Sequence, residues 1–252
     1  MQQYFVNSKA PQDGLVTITD KDTAKHMFSV MRLAEGDEVV LVFDDAIKRL
    51  AKVINRDDQT FQIVADLPDN VELPVYVTIA VGFPKGDKLE FLAQKATELG
   101  ASQFMAFPAD WSVVKWDSKK LAKKQEKLEK IALGAAEQSK RNRVPNWQLF
   151  DQKAAFLKQV TDFDHVLVAY EEAAKEGEQS HLAASISQFQ AGDKVLFVFG
   201  PEGGLSPNEI DQLTSAGAIT VGLGPRILRA ETAPLYALSA VSFAMELNQK
   251  GN

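Results

Sequence analysis

The sequence predicts an α/β fold in two parts, a small β-rich domain over residues 1–72 and a larger domain over residues 75–252 built on a mainly parallel sheet. Three features predict it. Apolar positions alternate with polar ones between turn residues through the first ~70 residues. The stretch Leu67-Pro68-Asp69-Asn70-Val71-Glu72-Leu73-Pro74 then carries two prolines and no period, which reads as a linker. Beyond Val75, short apolar runs alternate with segments of helical period, the pattern of strands joined by crossover helices.

In the first part, a short helix is expected over residues 22–32, and an apolar strand over 39–43 follows Glu35-Gly36-Asp37. Strands over 50–54 and 60–64 flank the polar turn Asn55-Arg56-Asp57-Asp58. In the second part, 75–83 is a continuously apolar strand. Residues 87–99 form an amphipathic helix with Leu89, Leu92, Ala93, Ala96 and Leu99 on one face, stopped by Gly100. A strand over 104–107, a long helix over 118–140, a short strand near Trp147 and a helix over 152–160 follow. Next come a strand over 164–170, a helix over 181–189 and the strongly β run 194–199. Ser206-Pro207-Asn208-Glu209 opens a helix with a capping box and a proline at its first position. A strand over 218–223 and a helix over 232–247 complete the pattern, with no internal repeat or low-complexity tract.

Composition narrows the function. The 252 residues are 45% hydrophobic and 25% charged, ordinary for a globular protein. With no cysteine there is no disulfide, thiolate metal site or cysteine nucleophile, which suits a reducing, cytoplasmic setting. His26, His165 and His181 are too scattered for a metal cluster, so no metal is expected. No apolar run approaches the roughly 20 residues of a membrane span. The net charge of −6 is unevenly spread: residues 110–143 carry ten Lys/Arg against five acids, leaving −11 elsewhere. Such a stripe suits docking on a phosphate backbone. On charge alone it better suits a solvated helix face laced by pairs such as Glu126 with Lys130.

The chemistry is expected in two loops that each follow an apolar strand. Gly200-Pro201-Glu202-Gly203-Gly204 lets the backbone approach a ligand closely, and the Glu202 carboxylate can accept hydrogen bonds. It is neither a P-loop nor a dinucleotide fingerprint, and by itself it reads equally as a tight strand-to-helix turn. The second loop is richer: Leu223-Gly224-Pro225-Arg226-Ile227-Leu228-Arg229-Ala230-Glu231-Thr232-Ala233. Its arginines bracket two aliphatic residues, so two guanidiniums can face solvent while Ile227 and Leu228 face a ring-shaped ligand. Thr232 is placed to cap the last helix and Glu231 to pair with an arginine. Tyr170 ends its strand beside these loops, to line the pocket or simply to pack. The helix ending in Gln138-Ser139-Lys140-Arg141-Asn142-Arg143 concentrates cations that suit either its dipole or a phosphate. Trp111 and Trp116 flank Ser112-Val113-Val114-Lys115, and their type favours core packing over base stacking.

At these residues the chain resembles the 16S rRNA uracil-N3 methyltransferase family, RsmE-like proteins of the SPOUT superfamily. The matching motifs include Arg32-Leu33 with Gly36-Asp37, Lys85-Gly86-Asp87-Lys88, Lys95-Ala96-Thr97-Glu98-Leu99-Gly100 and Glu137-Gln138-Ser139 with Arg141, together with the two loops. The resemblance implies a PUA-like RNA-binding domain and a SPOUT domain whose last part forms a deep trefoil knot. It implies S-adenosylmethionine as cofactor, a homodimer, and methylation of N3 of uridine 1498 in 16S rRNA of the assembled small ribosomal subunit. Carried over by motif, Phe199, Gly200, Pro201, Glu202, Gly203, Gly204, Leu223, Gly224, Ile227 and Leu228 cradle the cofactor with Tyr170. Arg229 faces the methyl group and serves catalysis. Arg32, Lys115, Gln138, Lys140, Arg141, Arg143 and Arg226 are the candidates for RNA contact. The chain departs from the family pattern where Gln2, Gln3 and Trp111 replace arginines.

The expected reaction is an in-line methyl transfer to a ring nitrogen, which asks mainly for positioning and electrostatics. Arg229, with Arg226, is expected to stabilise the uracil anion through O2 or O4, and Glu202 or Glu231 are the available proton acceptors. The alternatives are a SPOUT methyltransferase acting on another RNA and a non-catalytic RNA- or cofactor-binding module.

Overall fold

The computed structural model describes residues 1–170 and 181–248. The chain divides into two compact units, one of residues 1–72 with 136–143, the other of 73–135 with the chain from 144 onward.

The first unit is built on a five-stranded sheet in the order β1 (Gln3–Phe5), β3 (Glu38–Val42), β4 (Lys48–Asn55), β5 (Thr60–Leu67), β2 (Leu15–Thr17). Only the β1–β3 pair is parallel. Tyr4, Met27, Val39, Leu41, Ala51, Val53 and Phe61 form its core. Strands β1 and β2 have three residues each, too few for alternation to show in the sequence, and they are defined by their sheet partners.

The expected helix over 22–32 is shorter and changes pitch. Helix α1 (Lys21–Lys25) is capped by Asp20, whose carboxylate accepts from Thr23 N at 2.8 Å. The chain then widens into a π turn over His26–Val30, where Met31 N reaches His26 O and Leu33 N reaches Met27 O. Met27 and Phe28 are buried there, and Arg56 donates to the Phe28 carbonyl at 3.3 Å. A pitch change driven by core packing leaves no periodic signal in the sequence.

Residues 136–143 belong to this unit through a dense set of polar contacts. Arg141 is 2% exposed, and its Nε donates to Glu72 Oε1 at 2.9 Å. Asn142 Nδ2 donates to Ala46 O at 2.9 Å and to Asp69 O at 3.2 Å, and Gln3 Nε2 donates to Arg141 O at 2.6 Å. One expectation changes. Arg141 does not present its guanidinium to a phosphate, because Glu72 and burial already use it. Gln3, one of the departures from the family pattern, is likewise buried and spent on the fold.

Burial pushes the Glu137 carboxyl up to about 7, against a backbone hydrogen bond from Phe5 and the charge of Lys140, which lower it. Tyr4 is pushed to about 12 by burial and then by Glu137. A carboxyl with a raised folded-state pKa contributes stability that is complete below its ordinary value of 4.5 and lost as pH rises through about 7. Glu137→Gln is therefore expected to raise Tm by about 2–4 °C at pH 8 and to leave it nearly unchanged at pH 5. Thermal melts at the two pH values check this; equal shifts at both would refute it.

The second unit carries a six-stranded, wholly parallel sheet. Its order is β11 (Ile219–Val221), β9 (His165–Ala169), β10 (Lys194–Phe199), β6 (Tyr76–Gly82), β7 (Gln103–Phe107), β8 (Asn146–Leu149). Strand β10 shows why its sequence is continuously apolar: Val195, Phe197 and Phe199 enter one core cluster, Leu196 and Val198 the other. The first cluster holds α2 (Lys88–Glu98), α3 (Ser118–Gln138), α5 (His181–Ile186) and α7 (Ala233–Ser242). The second holds α4 (Lys153–Gln159) and α6 (Pro207–Ser215). The capping box forms as expected: Ser206 Oγ accepts from Glu209 N at 3.2 Å and Ser206 N donates to Glu209 Oε2 at 2.9 Å.

The basic stripe on α3 is partly neutralised, Lys124 and Lys127 both pairing with Glu90 of α2, at 3.1 and 2.7 Å, and Lys130 with Glu126 at 2.9 Å. Much of it is a laced helix surface rather than a row of open cations.

Candidate active site

From β6 the sheet grows in sequence order on one side through β7 and β8, while β10, β9 and β11 lie on the other. The order reverses between β6 and β10, which in an open parallel sheet places a crevice beyond the carboxyl ends of those strands. There the chain leaves β10 into residues 200–205 and β11 into residues 222–230. Together they line a cleft of about 860 Å³, joined by Tyr170 after β9, Lys88 at the start of α2, and Trp111.

Glycine is required at the first loop for steric reasons. A Cβ on Gly200 would lie 2.4 Å from the Gly204 carbonyl carbon and 2.7 Å from Leu205 N, so the loop folds back on its own backbone. In the second loop Gly224 has φ +89°, a conformation L side chains rarely adopt. The Arg229 carbonyl accepts from Thr232 N and Ala233 N at 2.9 and 3.0 Å, launching α7. Thr232 stands at the cap position but makes no side-chain capping bond: its backbone is already helical (φ −89°, ψ −37°) rather than extended, and Pro234 offers no amide.

The two loops are tied by one cation. Lys88 Nζ lies 3.0 Å from Glu202 Oε1 and 3.0 Å from Glu231 Oε2, and Lys85 N donates to Glu202 Oε1 at 3.0 Å. Glu231 thus forms its ion pair with Lys88, and the charge of Arg229 also acts on it. Burial alone would raise both carboxyls, but backbone hydrogen bonds and Lys88 outweigh it and hold both below the usual glutamate range. Their contribution to stability is present above the ordinary value of 4.5 and drains as pH falls through their lowered values.

The tryptophans differ. Trp116 packs on Phe83 with ring centroids 4.4 Å apart, as expected for core. Trp111 instead is 49% exposed and lines the cleft.

The comparisons with known proteins match these features. Residues 71–242 match the family described as RNA methyltransferase domain, and residues 18–66 the RNA methyltransferase PUA domain. The chain is 44% identical over 252 residues, 98% of each chain, to ribosomal RNA small subunit methyltransferase E of Bacillus subtilis. The chain belongs to the ribosomal RNA small subunit methyltransferase E family. It is also 33% identical to the protein of that name from Mycobacterium bovis, over 94% of this chain and 90% of the other. A structure of a putative methyltransferase from Legionella pneumophila in complex with the bound cofactor SAM is similar, at 26% identity and TM-score 0.80 over 96% of this chain and 97% of that one.

For a methyltransferase E chain, the structure gathers the motif-derived positions well. Tyr170, residues 199–204, Leu223, Gly224, Ile227, Leu228, Arg226 and Arg229 all line the one cleft. Lys115, also exposed, is not among the residues lining it. Arg32, Gln138 and Arg143 are exposed and Lys140 half-buried, all in the first unit. No group of three or more His, Cys, Asp or Glu that could hold a metal occurs among the described residues, and no described helix is long and apolar enough to cross a membrane.

Sequence reasoning missed Lys88 as a site residue. The signal was present: a lysine at the first position of a helix opposes the helix dipole and so points to another partner. Lys88→Met is expected to weaken S-adenosylmethionine binding about tenfold by freeing the two loops and removing the ammonium shared by two partly buried carboxylates. Calorimetric titration checks it; wild-type affinity would show that the bridge does not shape the cleft.

Proposed function

We propose that this chain transfers a methyl group from S-adenosylmethionine to N3 of uridine 1498 of 16S rRNA in the assembled small ribosomal subunit. The observation that carries the reading is the glycine-built cleft, in which every motif-derived cofactor position meets Arg229. The cleft fits the cofactor. Residues 200–204 bring a side-chain-free backbone to its wall, Leu223, Ile227 and Leu228 offer apolar surface to a ring, and about 860 Å³ accommodates a nucleoside with its amino-acid tail. When bound, the cofactor supplies an electrophilic methyl group on a sulfonium.

The protein's part is to position and to stabilise charge. Uracil N3 must lose its proton, which passes to solvent, to become a nucleophile. The Arg229 guanidinium, with Arg226 beside it, stabilises the resulting anion at O2 or O4 through its planar donors. Glu202 and Glu231, held low by backbone hydrogen bonds and then by Lys88, anchor the loops and are poor proton acceptors. Because N3 lies on the pairing edge, the target must be unpaired or flipped out.

The reading includes a cytoplasmic homodimer and a trefoil knot in the C-terminal part. The test incubates the purified protein with labelled S-adenosylmethionine and small subunits from cells lacking their own enzyme, then maps the product by primer extension. One stop at the expected uridine supports the reading. Cofactor binding without transfer favours another RNA or a non-catalytic module.

A further inference from the structure

Trp111 is the large aromatic side chain that the fold leaves half exposed at the mouth of the cleft, and its backbone is unusually well fixed. It sits on a tight turn closed by Ser112 N donating to Ala109 O at 2.9 Å and by Ala109 N donating to Ser112 Oγ at 3.2 Å. The preceding residue is anchored three ways. Asp110 N donates to the buried Glu209 Oε1 at 2.9 Å, Ser206 Oγ donates to Asp110 Oδ2 at 2.6 Å, and Lys153 Nζ lies 2.5 Å from Asp110 Oδ1. Those bonds hold the Asp110 carboxyl below its usual range, through Lys153 first and Ser206 next. On the cleft side, Trp111 lies against the glycine loop: a Cβ on Gly203 would be 3.1 Å from Trp111 Cβ and 3.9 Å from its Cε3.

A ring this exposed contributes little to the core, yet the fold spends a buried carboxylate, a serine and a lysine on fixing the turn that bears it. A fixed, solvent-facing aromatic surface beside a cleft is what stacking on a base requires, since stacking gains affinity only where the platform is not ordered at the moment of binding. Deeper positions such as Phe199 and Val221 are fully buried around the strand ends, whereas Trp111 stands at the rim, where RNA must enter. We infer that Trp111 is the stacking platform for the extruded target uracil, positioning its ring over the cleft opposite Arg229. This rests on the functional reading above and deepens it.

The test compares wild type, Trp111→Ala and Trp111→Phe. Three quantities are measured: S-adenosylmethionine affinity by calorimetry, small-subunit affinity by filter binding with S-adenosylhomocysteine present, and methyl-transfer kinetics. The alanine variant is expected to bind subunits about tenfold or more weakly and to raise KM for them by a similar factor. Its cofactor affinity stays within about threefold of wild type, and phenylalanine restores most of the loss. Weakened cofactor binding with unchanged subunit affinity would place the ring on the cofactor and overturn the inference. So would an alanine variant unchanged in all three measurements, or a phenylalanine variant as impaired as alanine. If wild type itself transfers no methyl group to small subunits, the functional reading falls, and the platform with it. The variants decide the platform only against an active wild type, so the two failures are told apart.

Discussion

Gly200→Ala is expected to abolish measurable S-adenosylmethionine binding, with an affinity loss of about 100-fold or more, while the protein remains folded. The reason is steric. The added Cβ would meet three backbone atoms within 2.8 Å, the Gly204 carbonyl carbon, Leu205 N and Gly204 Cα, and none of them is the movable end of a flexible side chain. The strand before it cannot yield either, because Phe197 and Phe199 are packed into the core and Val198 lies opposite Val168 and Ala80. The loop must therefore displace as a unit and take the cleft wall with it. Overpacking of this kind costs about 1–3 kcal/mol, so a modest fall in Tm accompanies the binding loss. Calorimetric titration with a parallel melt checks both. Wild-type affinity would mean that the loop is not the cofactor wall.

Arg229→Lys is expected to lower kcat about 100-fold and to leave cofactor affinity within about threefold. Lysine keeps the charge but loses the planar pair of donors that matches the edge of a uracil anion, and donors aimed at developing charge are typically worth 100-fold or more in rate. The Arg229 carbonyl, which launches α7, is untouched by the substitution, so the fold of the loop is preserved. Single-turnover methylation of small subunits, set beside cofactor titration, separates the two quantities. Unchanged turnover would remove Arg229 from the chemistry, and parallel loss of affinity and rate would make it a binding residue.

Particular residues show where the sequence was legible. The helix over residues 207–215 announced itself through Ser206, Pro207 and Glu209, all within four positions, and the capping box is there. Strand β10 matched its expected bounds because the unbroken apolar run over 195–199, closed by Gly200, admits little else. The last helix began where expected, yet it passes from α7 into a wider π turn over Phe243–Leu247. That turn buries none of its residues, unlike the one after α1, and has no period of its own. The basic cluster misled at Arg141, because a buried ion pair with Glu72 is written 69 positions away.

By itself the sequence determined the order and type of most elements, the break between a β-rich part and a parallel α/β part, and the two loops that line the cleft. These rest on interactions among neighbouring residues: caps, turns, steric demands on glycine and the period of apolar side chains. The tertiary structure alone decided that Lys88 joins Glu202 to Glu231, that Trp111 stands open at the cleft while Trp116 is packed, and that the three-residue strands β1 and β2 exist at all. Each depends on partners distant in sequence, such as β10 beside β6 or β1 beside β3. The hydrogen bond from Lys85 to Glu202 spans 117 positions, and no local pattern encodes a partner at that distance.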